Sequence, residues 1–268
     1  MNSPLVSFII PYFNGGVTIQ ETIDSIFNQS YPNFDIWLIN DGSTDPYSLE
    51  KLKEFEGNEK IHLLHQENAG PSVARNKAIQ LCTAEFIVPL DADDLIEATT
   101  LSACVTRATS DKEIGVVYGN LHYFGESNEL KIQQVFALER QLLWNQIAVC
   151  CLIQKEVFAT VGYYDNHLSK LGLEDWEFWL RVGQSNWKFS KMEEVHFRIR
   201  VVGSSRTYEV ANNHLTEIKK YVYEKHSNLL AQQFEAFYYD KKMLLETPDY
   251  RLGKFLLSPL RWIKNVLK

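Results

Sequence analysis

The acidic cluster Asp91-Ala92-Asp93-Asp94 directly follows an apolar run and is the strongest chemical motif in this sequence. Carboxylates in a loop suit a hard divalent cation, since Mg²⁺ usually takes one or two protein carboxylates together with phosphate oxygens and water. Mn²⁺ accepts the same ligands. The alternative is a solvated turn that caps a helix beginning near Leu95. The cluster alone leaves both interpretations open.

Asp41 and Phe13 follow two other apolar runs. The Asp41 carboxylate either forms an Asx turn, with Gly42 at a positive φ, or accepts hydrogen bonds from a nucleotide base or ribose. Phe13 either stacks against a base or belongs to the core, and taken alone it favours the core.

A Gly70-Pro71 turn stands immediately before a predicted helix that contains Arg75. Helix N-termini favour anions, and a guanidinium pairs well with phosphate or carboxylate. Arg75 therefore either contacts a phosphate or locks the acidic cluster in place.

A second acidic pair, Glu174-Asp175, begins the segment LEDWEFWLR. Acids at a helix start often only complement the helix dipole. The alternative is a general base, a carboxylate that takes the proton of an attacking hydroxyl, beside an aromatic wall that includes Trp176. Arg181 is the candidate ion-pair partner that holds this segment.

Apolar runs alternate with amphipathic stretches over the first 120 residues. Several runs are apolar on consecutive residues, as expected for strands that are covered on both faces. We predict strands at Leu5–Pro11, Phe34–Asn40, Ile61–His65, Phe86–Leu90 and Ile114–Tyr118.

Helices are predicted between these strands. One has Ile19, Ile23, Ile26 and Phe27 on one face, with Thr18 and Glu21 spaced as a capping box. The others are predicted at Pro71–Cys82 and Leu95–Arg107. This βαβ alternation predicts an α/β fold with a mainly parallel sheet and helices on both faces.

The second half is less regular. We predict a buried strand at Ala148–Ile153, a helix at Leu173–Val182, one or two strands over Phe189–Val202, and mainly helix over His214–Leu245. In parallel α/β sheets ligands bind beyond the carboxyl ends of the strands. The residues that follow the first, second and fourth strands are therefore expected to meet at one edge.

Composition narrows the class of protein. The chain has 268 residues and a formal net charge of −7, which disfavours general affinity for nucleic acid. Its four cysteines show no CxxC spacing, which favours a reducing compartment. The N-terminus has no basic leader and no apolar run approaches the ~20 residues that cross a bilayer, so we predict a cytoplasmic protein.

Several other chemistries are disfavoured. The sequence contains no GxSxG, HExxH, Walker A or GxGxxG motif, and its seven histidines form no metal-ligand spacing.

In this order, the motifs resemble those of family 2 glycosyltransferases with the GT-A fold. The matching segments, spread over about residues 5–205, are SFIIPYFN, ETIDSIFNQSYPNFDIWLINDGSTD, ENAGPSVARN, FIVPLDADD, VGYYD and LEDWEFWLR. The resemblance implies an inverting enzyme that moves a sugar from a nucleotide-diphosphate donor to an acceptor hydroxyl, in cell-surface polysaccharide or glycolipid biosynthesis.

The resemblance and the predicted elements together give the expected domains. Residues 1–210 would form the GT-A domain, with a nucleotide-sugar half (1–120) and an acceptor half (121–210). Residues 211–268 would form a helical extension.

Site residues carry over by position. The donor site would comprise Pro11, Phe13, Asp41, Arg75, Asp91, Ala92 and Asp93. A Mn²⁺ or Mg²⁺ cofactor would bind Asp93 and Asp91, with Asp94 as a further candidate. Asp175 would be the catalytic base, and Glu174 and Trp176 would contact the saccharide or lipid-linked saccharide acceptor.

The sequence departs from the family pattern at two places. Asn40 stands where many relatives carry an Asp, and Val201–Ser205 stands where many place a His near a Ser-rich turn. Two alternatives stay open: an inactive GT-A domain used for binding, and a sugar-phosphate nucleotidyltransferase, whose Gly-rich phosphate loop and signature Lys are missing here.

The C-terminal segment 251–268 lies beyond the resemblance, and all its charges are basic. Leu260, Ile263 and Leu267 would share one face of a helix, beside Arg261, Lys264 and Lys268. Such a helix either lies on the inner face of the cytoplasmic membrane, among anionic headgroups, or docks on the catalytic domain with its cations in water.

Overall fold

A computed structural model describes residues 3–203 and 206–246, without the side chains of 195, 206–212, 240 and 244–246. Of the described residues, those up to Ile218 form one compact unit, and those from Lys219 form a second. The sequence-based boundaries near residues 120 and 210 stay predictions. In the part of the chain described, no helix is both long and apolar enough to span a bilayer.

Within the described ranges, nine strands form one sheet. They are β1 (Val6–Tyr12), β2 (Phe34–Asp41), β3 (Ile61–Gln66), β4 (Phe86–Pro89), β5 (Leu95–Ile96), β6 (Ile114–Gly125), β7 (Leu130–Lys131), β8 (Leu152–Gln154) and β9 (Lys188–Val201). The strand order is β3-β2-β1-β4-β8-β6-β9-β5, with β7 paired to β6.

The helices are α1 (Ile19–Phe27), α2 (Pro46–Lys53), α3 (Pro71–Leu81), α4 (Thr100–Thr109), α5 (Leu138–Leu143), α6 (Lys155–Val161), α7 (Glu174–Gly183), α8 (Arg206–Lys225) and α9 (Ser227–Glu246). A 3₁₀ turn at Asn166–Leu168 precedes α7.

The sheet is mainly parallel, as predicted. Strands β3, β2, β1 and β4 pair in parallel over long registers, and β6 pairs with β9 in parallel. The antiparallel pairings of β8, β5 and β7 each join only two residue pairs. The carboxyl ends of β1, β2 and β4 therefore lie together, where the acidic and aromatic residues follow.

Both faces of the sheet are covered. In β1, Phe8 and Ile10 lie in one core cluster with Ile23 of α1, while Ile9 lies in a second cluster with Ala78 of α3 and Trp179 of α7. This two-sided burial explains the consecutive apolar residues of the strands. The four cysteines are free thiols buried within these clusters.

Two predictions about secondary structure are wrong. Leu95–Ile96 is a short strand paired with Arg198 and Phe197 of β9, and α4 begins only at Thr100. The predicted strand at Ala148–Ile153 is reduced to β8 (Leu152–Gln154). The apolar residues after Leu95 have helical spacing, so the sequence predicted a helix from Leu95 onward. The strand at Leu95–Ile96 depends on a partner about a hundred residues further along the chain, which local spacing does not indicate.

The capping box at the start of α1 is also absent. The Thr18 hydroxyl donates to the Ala92 carbonyl at 3.0 Å, and the Glu21 carboxylate accepts from Arg200 at 2.6 Å. Both side chains connect α1 to the acidic loop and its neighbouring strand, so tertiary contacts replaced the local capping hydrogen bonds.

Candidate active site

The acidic loop 91–94 at the end of β4 is held by three separate elements. Thr18 at the start of α1 donates to the Ala92 carbonyl at 3.0 Å. Arg75 of α3 donates to Asp91 Oδ1 at 2.5 Å. Arg200 of β9 donates its backbone N–H to Asp94 Oδ1 at 2.9 Å and its Nε to the Asp93 carbonyl at 3.0 Å. The loop conformation is therefore fixed by the fold.

The three carboxylates of this loop have different environments. Asp94 is 5% exposed, and its burial, together with the charges of Asp91 and Asp93, raises its pKa well above the ordinary value. Burial raises the pKa of Asp93 to about 6, and the Asp91 carboxylate adds to the rise. The Asp91 side chain is 39% exposed. Asp91 and Asp93 thus form the accessible part of the cluster.

These two carboxylates fit a divalent cation. Within the described residues no group of three or more His, Cys, Asp or Glu side chains is arranged to hold a metal. Mg²⁺, however, needs only one or two carboxylates when phosphate and water complete its shell. Asp91 raises the pKa of Asp93 through like-charge repulsion, and a cation held by these carboxylates would offset that repulsion. Asp94 is turned toward the Arg200 backbone and is the poorer candidate.

Asp41, at the end of β2, uses its carboxylate to fix the following loop. Its Oδ1 accepts from Gln66 and from the Ala69 N–H, both at 2.8 Å, and its Oδ2 accepts from the Gly70 N–H at 2.8 Å. The side chain is buried. By count of lone pairs Oδ2 could accept one further donor, since a carboxylate offers about four lone-pair positions.

The turn after β2 is closed by the side chain of Asn40, one residue before Asp41, and not by the Asp41 carboxylate. Asn40 Oδ1 accepts from the Ser43 N–H at 2.9 Å, and its amide group lies 3.1 Å from His65 Nδ1. Gly42 has the predicted positive φ, +71°. The Asn at this position, which departs from the family pattern, therefore has a structural role of its own.

Phe13 is 40% exposed beyond the end of β1. This contradicts the interpretation of Phe13 as a core residue and leaves a ring face open to a ligand. The next residue, Asn14, has a positive φ of 51° and accepts from the Thr44 and Asp45 N–H groups at 2.9 and 3.0 Å. Asn14 thus joins the loops after β1 and β2. Pro11 pairs with Ile39 inside the sheet, just behind this surface.

The N-terminus of α3 does not present free donors to an anion. The N–H groups of Ser72 and Val73 lie 3.1 and 3.3 Å from Ser169 Oγ, which accepts from them. Gly70, with φ +90°, allows this approach, because a Cβ there would lie 2.5 Å from Ser169 Oγ. The prediction that this helix start favours a phosphate is therefore wrong for Ser72 and Val73.

Arg75 joins the two acidic motifs. Its side chain is 2% exposed, with one Nη donating to Asp91 at 2.5 Å and the other to Glu174 Oε1 at 2.5 Å. It therefore locks the acidic cluster, one of the two roles predicted for it, and also anchors the start of α7.

Asp175, the second residue of α7, is largely enclosed by protein. Its Oδ2 accepts from Asn145 at 2.7 Å and its Oδ1 from the Trp176 N–H at 2.9 Å. Burial raises the pKa of Asp175 to about 7, and the charge of Glu174 adds to the rise, while these two hydrogen bonds oppose it. A carboxyl group with a pKa near neutral pH is suited to accept and release protons.

Glu174 and Trp176 do not face open space. Glu174 is 8% exposed and paired with Arg75. Trp176 is 1% exposed, and its indole N–H donates to the Gln141 carbonyl. The two residues predicted to contact an acceptor are thus engaged inside the protein. Arg181 holds the helix, as predicted, through Glu177 at 2.9 Å and through the carbonyls of Val161 and Tyr163.

Four important side chains were missed from the sequence: Asn14, Asn145, Ser169 and Arg200. Each acts through a partner distant in the chain. Asn14 ends the SFIIPYFN segment, whereas the other three lie outside the segments that resemble the family. For Arg200 the available signal was its alternation with Arg198 in β9, since strand residues two apart share a face.

Comparison with known proteins identifies the family. A family model described as "Glycosyl transferase family 2" matches residues 7–163, more than half of the chain. The match contains the acidic loop and Arg75 and ends before Asp175.

Two curated relatives match over shorter stretches. An uncharacterised glycosyltransferase of Escherichia coli, YibD, is 39% identical over 107 residues, which are 40% of this chain and 31% of the relative. The chondroitin synthase of Pasteurella multocida is 34% identical over 116 residues, 43% of this chain and 12% of the relative.

A solved structure has the same fold. It is that of S. aureus TarS, residues 1–349, in complex with UDP-GlcNAc, which matches with a TM-score of 0.64 at 18% identity. The match covers 80% of this chain and 66% of the TarS chain. At that identity the likeness is one of fold, and it confirms the α/β architecture predicted from the motifs.

Proposed function

Because this chain belongs to glycosyltransferase family 2, we propose that it transfers a sugar, with inversion, from a nucleotide-diphosphate sugar to an acceptor hydroxyl. The observation that carries the proposal is the connection between two acidic motifs through one buried arginine. Arg75 lies 2.5 Å from Asp91 in the acidic loop and 2.5 Å from Glu174, next to Asp175. A donor site and a proton acceptor would thereby have a fixed relative position.

On the donor side, the exposed ring of Phe13 would stack on the base, and the remaining acceptor capacity of Asp41 would take a hydrogen bond from the nucleotide. Pro11 would shape the pocket behind them. Ala92 and the two accessible carboxylates of the loop would lie near the diphosphate. Arg75 would act there by holding Asp91 rather than by touching phosphate, since both of its Nη groups are engaged.

Asp91 and Asp93 are the residues that would hold a divalent cation. Bound there, Mn²⁺ or Mg²⁺ would neutralise charge on the leaving diphosphate.

Asp175 would act on the acceptor. Its carboxylate takes the proton of the acceptor hydroxyl as that oxygen bonds to the anomeric carbon, and the bond from this carbon to the diphosphate oxygen breaks with both of its electrons. Attack on the face opposite the leaving group gives inversion.

Two relatives suggest the substrate class. TarS was solved with UDP-GlcNAc, and a chondroitin synthase is among the similar proteins. We therefore propose a UDP-sugar donor and a saccharide or lipid-linked saccharide acceptor, in the assembly of a cell-surface polysaccharide.

A thermal-shift screen tests the donor site. UDP-GlcNAc and other nucleotide sugars, each with and without Mn²⁺, should raise the Tm of the protein only when they bind the native state. Asp93→Ala should remain folded and lose the metal-dependent part of the shift. Asp24→Ala, at an exposed position of α1, is the matched control. A metal-dependent shift that persists in Asp93→Ala would contradict the assignment.

We also propose a location at an anionic membrane surface. The basic segment 251–268 lies outside the described residues. Within the second unit, α9 carries Phe234, Phe237 and Tyr238 at more than half exposure. Aromatic and basic side chains together suit the membrane interface, and each cation there contributes about 1 kcal/mol.

Vesicle co-sedimentation tests this location. The full chain should bind anionic phosphatidylserine vesicles at low salt and release at high salt, and a chain ending at Ser258 should bind much less. A full-length variant with Arg261, Lys264 and Lys268 replaced by Gln separates the effect of charge from that of length. Equal binding by all three proteins, or by none, would remove the membrane role of the segment.

A further inference from the structure

Glu174 and Asp175 are adjacent acids at the start of α7 with unequal partners. Glu174 is paired with a full positive charge, since Arg75 Nη1 lies 2.5 Å from its Oε1. Asp175 has only neutral hydrogen-bond donors, the Asn145 amide at 2.7 Å and the Trp176 N–H at 2.9 Å. The guanidinium is thus directed to one acid of the pair and away from the other.

The backbone fixes this division. Leu173, immediately before α7, has a left-handed φ of 58°, a conformation that non-glycine residues seldom adopt. The first turn of α7 then points Glu174 toward α3 and leaves Asp175 facing Asn145. Observed strain of this kind often accompanies a functional site.

We propose that Glu174 is a positioning residue that keeps Asp175 a strong proton acceptor by placing a negative charge beside it, while Arg75, whose single positive charge is shared with Asp91, holds Glu174 in position. This inference rests on the proposed function, and it adds a role for the neighbouring acid. Without Glu174, Asp175 would ionise more readily and would bind the acceptor proton less tightly.

The other groups that face Asp175 do not supply this effect. Tyr164, after α6, and Cys151, before β8, interact with Asp175, and burial raises the pKa of both far above neutral, so both stay uncharged. Arg75, on α3, lowers the pKa of Asp175, but less than Glu174 raises it. Asn145 does not titrate. Glu174 is therefore the nearby charge whose removal should change the Asp175 titration most.

The charge effect can be measured without any substrate. Carbon-13 NMR of protein labelled at the aspartate carboxyl carbons gives the titration of each group, and the Asp175 resonance is the one lost in Asp175→Asn. The midpoint in the wild-type protein should lie near pH 7. In Glu174→Gln it should fall by about 1 unit or more, the usual size for one adjacent charge.

Two further variants separate charge from structure. Glu174→Asp keeps the negative charge, so the Asp175 midpoint should stay close to that of the wild type. This variant can also be measured if Glu174→Gln fails to fold. Glu156 is an exposed acid in the first turn of α6, and Glu156→Gln should leave the Asp175 midpoint unchanged.

The rate profile tests the consequence for catalysis. With a UDP-sugar that the protein turns over, the acid limb of kcat/KM should shift to lower pH by the same amount in Glu174→Gln. The proposal would be overturned if a folded Glu174→Gln protein kept the wild-type midpoint of Asp175. It would also be overturned if Glu174→Asp lowered that midpoint as much as Glu174→Gln does. Absence of turnover with every donor would instead count against the proposed function, since the NMR midpoints stand by themselves.

Discussion

Replacing Asp175 by asparagine is expected to lower kcat for sugar transfer by about 10²–10⁴-fold, the usual contribution of general acid–base catalysis. Asparagine keeps the shape of the side chain and can still accept the hydrogen bond from Asn145, but it cannot take the acceptor proton. Donor affinity should change little, because the hydrogen bonds of the Asp175 side chain go to Asn145 and the Trp176 N–H and not to a predicted donor residue. Steady-state kinetics with separate donor titrations would measure both quantities.

Stability gives the same variant a second readout. The pKa of Asp175 is raised to about 7 in the folded protein, so the folded state holds this proton more tightly than the unfolded chain does. Below the pKa of this group in the unfolded chain, about 4, the carboxyl group does not lower the free energy of unfolding. As pH rises from there to about 7, it lowers the free energy of unfolding progressively more. Asp175→Asn should raise Tm at pH 8 and leave it nearly unchanged at pH 4.

Asp24→Asn, on the exposed side of α1, is the control for both measurements. Near-normal turnover by Asp175→Asn would place the proton acceptor elsewhere. A wild-type protein that binds donor but turns nothing over would favour the inactive, ligand-binding alternative.

Replacing Arg75 by alanine is expected to lower the free energy of unfolding by about 3–5 kcal/mol, the usual cost of removing one partner from a buried ion pair. The guanidinium is 2% exposed, and its loss would leave Glu174, 8% exposed, without a counter-charge. Asp91 would lose its partner at the same time. Donor binding should weaken as well, because the acidic loop would lose one of its three supports.

Urea denaturation of Arg75→Ala measures the loss of stability, and Arg75→Lys refines it. Lysine keeps the charge but not the fork that reaches both carboxylates, so its stability should lie between those of the wild type and the alanine variant. Lys53→Ala, which breaks an exposed pair with Glu50, should have little effect. A folded Arg75→Ala with wild-type stability would mean that the two acids are compensated by other groups.

The elements that bury a continuous apolar run could be predicted from the sequence. Strands β1 to β3 begin and end within one residue of the predicted bounds. Helix α1 buries Ile19, Ile23 and Ile26 of its predicted apolar face, while Phe27 is 41% exposed. Local periodicity decides these elements, because each packs its own side chains against the same sheet. The acidic loop and Asp175 were likewise found as local motifs.

Contacts between distant segments could not be predicted in this way. The Leu95–Ile96 strand exists only because β9 pairs with it, and the start of α3 is capped by Ser169, almost a hundred residues away. Phe13 is apolar but exposed, and Trp176 is aromatic but buried. Residue type alone does not distinguish these cases, since the position of the neighbouring loop decides which ring meets solvent.

The contacts of Arg200 also bear on how the protein is made. This residue lies 107 positions after Asp93 and 179 after Glu21, yet it bonds to both. A ribosome releases the N-terminal half first, and contacts of large sequence separation form late because their loops are costly to close. The parallel strands β1 to β4 can therefore assemble during translation, whereas the acidic loop is completed only after β9 has been synthesised.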